Sequence, residues 1–193
     1  MKKIYRHFLF LFLISSLLSS CGYNTMIEKE EKVNAALAEV KNQFKRRSDL
    51  IPQLVEVVKG VSNFEKSTLE AVIEARSKAT SVNLDASDLS PEKIAQFQKA
   101  QENFSGALSR LMVVVEKYPE LKATQNFSDL QVQLEGTANR ITVAIRNFNQ
   151  AVQDYNTYIK KFPNNMVAGL FGFKQKGYFE VSESEQKNPE IKF

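Results

Sequence analysis

The side-chain types that most often perform catalysis are scarce in this sequence, whose only histidine is His7 and only cysteine is Cys21. We expect His7 to be removed with an export signal and Cys21 to be acylated, which leaves no imidazole and no free thiol. This excludes Ser-His-Asp and Cys-His nucleophilic sites, zinc sites built on His or Cys, and Glu-x-x-His di-metal sites. Carboxylates such as Glu30 and Glu31 lie on a charged helix face, where a solvated role is favoured over acid–base catalysis. The sequence therefore predicts no catalytic residue, no metal site, no cofactor and no enzymatic activity.

Several polar residues stand where helical periodicity requires apolar ones. Steps of three and four residues from Met26 trace an apolar seam of period 3.5, which a guanidinium at Arg47 interrupts. On the third helical stretch, polar residues lie on either side of the apolar Phe148 and beside Tyr155. We predict a buried polar cluster from these positions, comprising Arg47, Asp49, Arg146, Asn149 and Asn156.

Three interpretations of Arg47 remain open. A buried guanidinium without a partner costs several kcal/mol, so we expect an ion pair with an acid such as Asp49 or Glu135. The favoured role is control of helix register, in which one polar seam residue specifies the alignment of the helices. The alternatives are a polar pocket for a small anion or a partner's acidic side chain, and exposure of the charged group at the surface.

The first twenty residues have the pattern of an export signal. Lys2, Lys3 and Arg6 precede an apolar run of roughly a dozen residues, which is shorter than the ~20 needed to span a bilayer. The sequence Leu18-Ser-Ser-Cys21 follows and resembles a bacterial lipobox. We predict that residues 1–20 are a lipoprotein signal peptide that is removed, and that acyl chains such as palmitate on Cys21 hold the chain at a membrane. An ordinary export signal or an uncleaved anchor is the alternative.

The basic character of the chain comes mostly from this signal. The full sequence carries a net charge of +4 and a pI of about 9.0. Loss of Lys2, Lys3 and Arg6 lowers the net charge to +1, and the triplet Lys45-Arg46-Arg47 has no aromatic residues interleaved with it. The sequence therefore predicts no nucleic-acid partner.

The rest of the chain has the pattern of an all-α protein. The first helical stretch starts near Asn24 or Thr25 and closes near Lys78, the second runs from a cap at Ser90 to Tyr118, and the third runs from a cap at Thr124 or Asn126 to Phe162. We predict an antiparallel, up-and-down helical bundle over residues 21–181. The polar residues 182–193 are predicted to be a disordered tail.

Two possible breaks in the first stretch decide the number of helices. Pro52 ends or bends a helix, yet the apolar seam keeps its phase across it, which favours a kinked helix over a chain reversal. The phase also survives Gly60, so we interpret that residue as a weak point and not as a helix end. The bundle would then have three helices with the first kinked near Pro52, or four if the chain reverses there. The glycine-rich segment from Met166 to Phe173 is expected to fold over one end of the bundle, and the alternative is an exposed contact with a partner or a membrane.

Several motifs, in order along nearly the whole mature chain, resemble the LemA family. The resemblance implies a small bacterial envelope protein with an antiparallel bundle usually of four helices, which raises the weight of a reversal near Pro52. Many members are held by an N-terminal transmembrane helix, whereas this chain has a lipobox. The motifs that carry the resemblance are Tyr23-Asn24, Arg46-Arg-Ser-Asp-Leu-Ile-Pro-Gln-Leu-Val55, Val58-Lys-Gly60, Glu74-Ala-Arg76, Tyr118-Pro-Glu-Leu-Lys-Ala123, Arg146-Asn-Phe-Asn149, Tyr155-Asn156 and Phe162-Pro163.

The family offers no established catalytic activity to transfer. We expect a membrane-anchored lipoprotein of the bacterial envelope that acts as a non-enzymatic scaffold or interaction module for other envelope proteins. Its bundle is expected on the non-cytoplasmic side, at the inner or the outer membrane. The alternative is a sensor of a small ligand or anion that uses a polar pocket around Arg47.

Overall fold

A computed structural model describes residues 2–61 and 64–180, with side chains from residue 22 onward. Within this described part the chain forms helices and no strand, which confirms the predicted all-α class. The predicted tail at 182–193 lies outside the described residues. The helices are α1 (Lys2–Asp49), α2 (Ile51–Lys59), α3 (Lys66–Ser81), α4 (Pro91–Val115), α5 (Pro119–Lys122), α6 (Gln125–Lys160) and α7 (Asn164–Phe171).

Helix α1 begins at Lys2 and continues through the predicted signal segment into the bundle. The predicted helix start at Asn24 or Thr25 is therefore wrong for the full chain, because the apolar residues before it propagate the helix. No helix of the described part is both long and apolar enough to cross a membrane. The side chain of Cys21 lies outside the described residues, and its acylation stays a prediction.

The chain does not reverse at Pro52. Only Leu50 separates α1 from α2, its backbone is helical at φ −77° and ψ −20°, and its carbonyl accepts from the Leu54 amide at 3.1 Å. Pro52 is the second residue of α2, and the Ser48 carbonyl that its missing amide would have bonded accepts from Arg76 Nε at 2.9 Å instead. Of the two interpretations of this site, continuation of the helix is confirmed and the chain reversal is wrong.

The chain reverses instead between α2 and α3. Arg76 Nε of α3 donates to the Ser48 carbonyl at 2.9 Å, and Lys41 Nζ donates to the Leu84 carbonyl at 3.0 Å, so α3 runs back along α1. The interpretation of Gly60 as only a weak point is therefore wrong. The apolar phase survives this break because both arms of the hairpin bury the same core, where Val58 and Val72 lie in one cluster.

The remaining long helices begin where local chemistry predicts. Pro91 opens α4 after Ser90, and the Thr124 hydroxyl caps α6 by accepting from the Phe127 amide at 3.3 Å. Helix α4 ends at Val115, three residues before the predicted Tyr118, and the short α5 leads into α6. Helix α6 packs along α1 and α3 packs along α4, around two adjoining apolar clusters.

The C-terminal part folds back over these helices, as predicted for the segment after Pro163. Helix α7 packs against α1 and α6 with Ala168 buried, and the rings of Phe171 and Phe173 contact Tyr23. An extended segment then runs to Glu180 along the side of the bundle, and Phe179 within it is buried in the core.

Gly177 allows this extended segment to approach the start of α4 closely. A Cβ atom at Gly177 would lie 2.8 Å from Pro91 Cα, and its amide donates to the Leu89 carbonyl at 2.8 Å. We expect Gly177→Ala to lower the free energy of unfolding by about 1–3 kcal/mol, since backbone must shift to relieve the clash. Urea unfolding checks this against Gly169→Ala in α7, where nothing lies within 4 Å. Equal urea midpoints for the two variants would contradict the prediction.

Candidate functional site

An open groove of about 920 Å³ runs between α4 and α6. Gln101 and Ser105 of α4 line one wall, Ile145 and Asn149 of α6 line the other, and Arg47 of α1 lies at the floor. The extended segment that ends at Glu180 closes one end of the groove. Because α4 packs mainly on α3 and α6 mainly on α1, the described residues leave an open space between α4 and α6.

Arg47 is buried at the floor of this groove, with 7% of its surface exposed. One terminal nitrogen donates to Ser105 Oγ at 2.7 Å and the other donates to Gln101 Oε1 at 2.8 Å. The guanidinium lies 4.9 Å from the ring centroid of Phe104 and 5.1 Å from that of Phe44. Burial lowers the pKa of Arg47 to about 10, so the side chain remains charged at neutral pH.

All hydrogen-bond partners of Arg47 in the described part of the chain are uncharged, and its Nε has no partner there. The predicted ion pair is wrong. Asp49 follows Arg47 by two residues, which is about 200° around the helix, and it pairs with Lys45 at 2.8 Å on the exposed face. Glu135 accepts from Gln131 on the exposed face of α6.

Gln101 is held so that its side-chain oxygen faces Arg47. Its side-chain Nε2 donates to the Ala79 carbonyl at 3.1 Å. The main-chain carbonyl of Gln101 accepts from Ser105 Oγ at 3.0 Å. The buried amide therefore ties α3 and α4 to the guanidinium of α1. These bonds fit the register-control interpretation of Arg47, but they use neutral groups in place of a carboxylate.

Side-chain amides hold the extended C-terminal segment by its backbone. Asn156 bonds both the amide (2.9 Å) and the carbonyl (2.8 Å) of Lys176, and Asn149 does the same for Phe179 at 2.9 and 2.8 Å. Gln98 of α4 bonds both groups of Glu180 at 3.0 and 3.1 Å. Asn149 and Asn156 are two turns apart on α6, about 10.5 Å, which matches the ~10 Å spanned by three extended residues.

Polar contacts to α1 and α6 reinforce this attachment. Lys176 Nζ forms an ion pair with Glu30 at 2.9 Å and lies 5.3 Å from the ring centroid of Tyr155. The Tyr155 hydroxyl donates to the Lys174 carbonyl at 3.0 Å. Burial, with a smaller contribution from the Glu30 charge, raises the pKa of Tyr155 to about 12.

The predicted polar cluster is thus divided between two roles. Arg47, Arg146 and Asn149 line the groove, whereas Asn156 clamps the C-terminal segment further along α6 and Asp49 lies on the surface. The sequence did not identify Ser105 or Gln98 as functional. Ser105 belongs to a run of small residues on α4 that faces the groove, while Gln98 has no distinguishing pattern.

Residues 36–193 match the family model of the LemA family, and this range includes the groove and the clamped segment. The chain belongs to the LemA family. It is 27% identical over 164 residues to the protein LemA of Metamycoplasma hominis, covering 84% of this chain and 71% of that protein. It is also 26% identical over 179 residues to the magnetosome protein MamQ 2 of Paramagnetospirillum magneticum and 25% identical over 176 residues to the magnetosome protein MamQ of Magnetospirillum gryphiswaldense. These alignments cover 82% and 81% of this chain and 64% of each magnetosome protein.

Membership of this family confirms the resemblance found in the motifs of the sequence. Together with the named relatives it indicates a membrane-associated envelope protein. The magnetosome relatives are longer, since this chain spans less than two thirds of their length. Of the quoted motifs, the one that begins at Arg46 supplies Arg47 to the groove, and those that contain Asn149 and Asn156 supply the clamps on the C-terminal segment.

Proposed function

We propose that this chain is a non-enzymatic envelope lipoprotein whose groove binds an extended, acidic segment of another envelope protein. The observation that carries the proposal is Arg47. It is a cation that lines an open groove, its hydrogen-bond partners among the described residues are uncharged, and its buried Nε has no partner among them. A carboxylate entering the groove would supply a charge-assisted hydrogen bond to this cation, which uncharged partners cannot match.

The C-terminal segment supports an extended polypeptide as the ligand. Residues 178–180 already line the groove as extended backbone, and side-chain amides bond Phe179 and Glu180 in place of a β-sheet. Between α4 and α6 the groove is lined by apolar side chains such as Ile141 and by polar ones such as Thr142 and Ser109. This mixture suits a peptide, whose backbone and side chains need both kinds of contact.

Two further elements complete the proposal. Four long helical segments (α1 with α2, α3, α4 and α6) run up and down in alternation; the hairpin from α2 into α3 and the short connections on either side of α4 support this arrangement. Acylation of Cys21 would anchor the chain, with the bundle on the non-cytoplasmic side of the membrane; the lipobox supports the anchor.

A second candidate function is a sensor for a small anion. Arg146 lines the same groove as Arg47, so two guanidinium groups face one space. A small dicarboxylate or a phosphate could bind between them without any protein partner.

Photo-crosslinking in intact cells tests the groove. We expect a crosslinking residue in place of Ser109, which lines the groove, to yield an adduct with a specific protein. The same residue in place of Asn103, on the outward face of α4, should not. Arg47→Met should reduce the adduct at least tenfold while changing the free energy of unfolding by about 1–2 kcal/mol or less, because lost hydrogen bonds are offset by relief from burying the charge.

Two outcomes would redirect this proposal. An adduct of unchanged yield in Arg47→Met would show that the groove binds without the guanidinium, against the proposed recognition. No adduct, combined with thermal stabilisation by a dicarboxylate or phosphate that is lost in Arg47→Met, would favour the anion sensor.

A further inference from the structure

Helix α7 leaves an apolar face uncovered at one end of the bundle. Phe162 is 79% exposed, Met166 67%, Leu170 80% and Phe171 58%. Met166 and Leu170 are four residues apart and lie along one side of α7, Phe162 lies in the turn just before the helix, and Ala168 is buried on the other side. Other exposed apolar residues of the described chain, such as Val113 and Val132, lie singly on the long helices. This apolar face is the feature that the groove does not explain.

The apolar face adjoins the residue predicted to carry the anchor. A Cβ at Gly22 would lie 3.4 Å from Asn164 Oδ1 at the start of α7, and the ring centroids of Tyr23 and Phe171 lie 4.8 Å apart. Both ends of α7 therefore contact the two residues that follow Cys21. Whether the anchor is an acylated Cys21 or the apolar segment before it, the membrane would meet the protein here.

The charges around α7 fit a surface of anionic lipids. Helix α7 has no charged residue, and the sequence from Tyr155 to Lys176 contains four lysines and no acid. Lys160, Lys161 and Lys174 lie exposed on either side of the helix. An exposed apolar face bordered by lysines is typical of segments that lie in the membrane interface.

We propose that the face formed by Phe162, Met166, Leu170 and Phe171 inserts into the headgroup region of the membrane beside the anchor. The inference rests on the proposed membrane attachment and adds a second point of contact to it. A single anchor leaves a protein free to tilt, whereas two adjacent contacts fix its orientation. The groove at Thr142 would then lie about 27 Å along α6 from the membrane contact.

Tryptophan fluorescence tests this contact, because the sequence contains no tryptophan. The full chain carrying Leu170→Trp is reconstituted into vesicles of phosphatidylethanolamine and phosphatidylglycerol, with or without bromine on the acyl chains. We expect the brominated lipid to reduce the tryptophan emission of this variant at least twofold. Val132→Trp is the matched control: it is also an exposed helical position, about 42 Å along α6 from Lys160, and its emission should not change.

Each other outcome overturns the inference in a distinguishable way. If the chain floats with the vesicles but Leu170→Trp emission is unquenched, the attachment holds and the proposed contact is wrong. If the emission is blue-shifted without vesicles and depends on protein concentration, a second copy of the chain covers the face instead. If the chain does not float with the vesicles at all, the proposed membrane attachment fails and the contact fails with it.

Discussion

Replacing Phe179 with alanine is expected to lower the free energy of unfolding by about 3–5 kcal/mol, the range for deleting a buried phenylalanine ring. Phe179 belongs to no helix, yet only 3% of its surface is exposed. Its ring meets Phe148 of α6 with centroids 5.2 Å apart and Phe97 of α4 with centroids 6.2 Å apart. Removing it would leave a cavity between the two helices that border the groove. Chemical denaturation monitored by circular dichroism measures the loss.

The matched control is Phe162→Ala, which deletes the same ring from a position that is 79% exposed. Its free energy of unfolding in solution should stay within about 0.5 kcal/mol of the parent. If Phe179→Ala were as mild as this control, the extended segment would not be part of the folded core. The groove would then extend over the surface that this segment now covers.

The sequence predicted the long helices well where two independent signals agreed. In α4 and α6 the apolar seam coincides with local capping chemistry at Ser90, Pro91 and Thr124, and both helices begin at those places. Where the signals disagreed, the outcome differed from place to place: the predicted continuation of the helix across Pro52 is confirmed, whereas its continuation across Gly60 is wrong. Pro52 is a strong helix breaker by composition, but at the second position of α2 it breaks nothing.

The reversal after Gly60 could not be found from periodicity. The spacing of apolar residues shows which residues face the core, but it does not show in which direction the chain runs. Val58 before the reversal and Val72 after it lie in the same apolar cluster. The alternating spacing of three and four residues between apolar positions therefore continues through the hairpin. Contacts between distant residues, such as Arg76 with Ser48, are what reveal the direction.

The candidate site was found in part for a related reason. Arg47 stood out because a guanidinium on an apolar seam breaks a local rule, and violations of this kind often mark functional sites. Its partners Gln101 and Ser105 are more than fifty residues away; Gln101 is likewise a polar residue on an apolar seam, whereas Ser105 follows no motif. The clamp formed by Gln98 and Glu180 joins residues 82 positions apart and has no periodic signature at all.

Removing the side-chain amide of Asn156 is expected to lower the free energy of unfolding by about 2–4 kcal/mol. Asn156→Ala would leave both the amide and the carbonyl of Lys176 without their partner, and each unsatisfied buried group costs about 1–3 kcal/mol. Asn147→Ala, an exposed asparagine of the same helix, should change the stability by about 0.5 kcal/mol or less. Thermal and urea unfolding of the two variants measure the difference.

A double-mutant cycle with Asn149 separates a clamp on one segment from two independent hydrogen-bonded sites. Asn149 and Asn156 hold Phe179 and Lys176 of the same extended segment. If either substitution releases this segment, the second should cost less in the double variant than it does alone, by about 1 kcal/mol or more. Strictly additive losses would mean that each asparagine acts locally, and that the segment does not leave the groove as a unit.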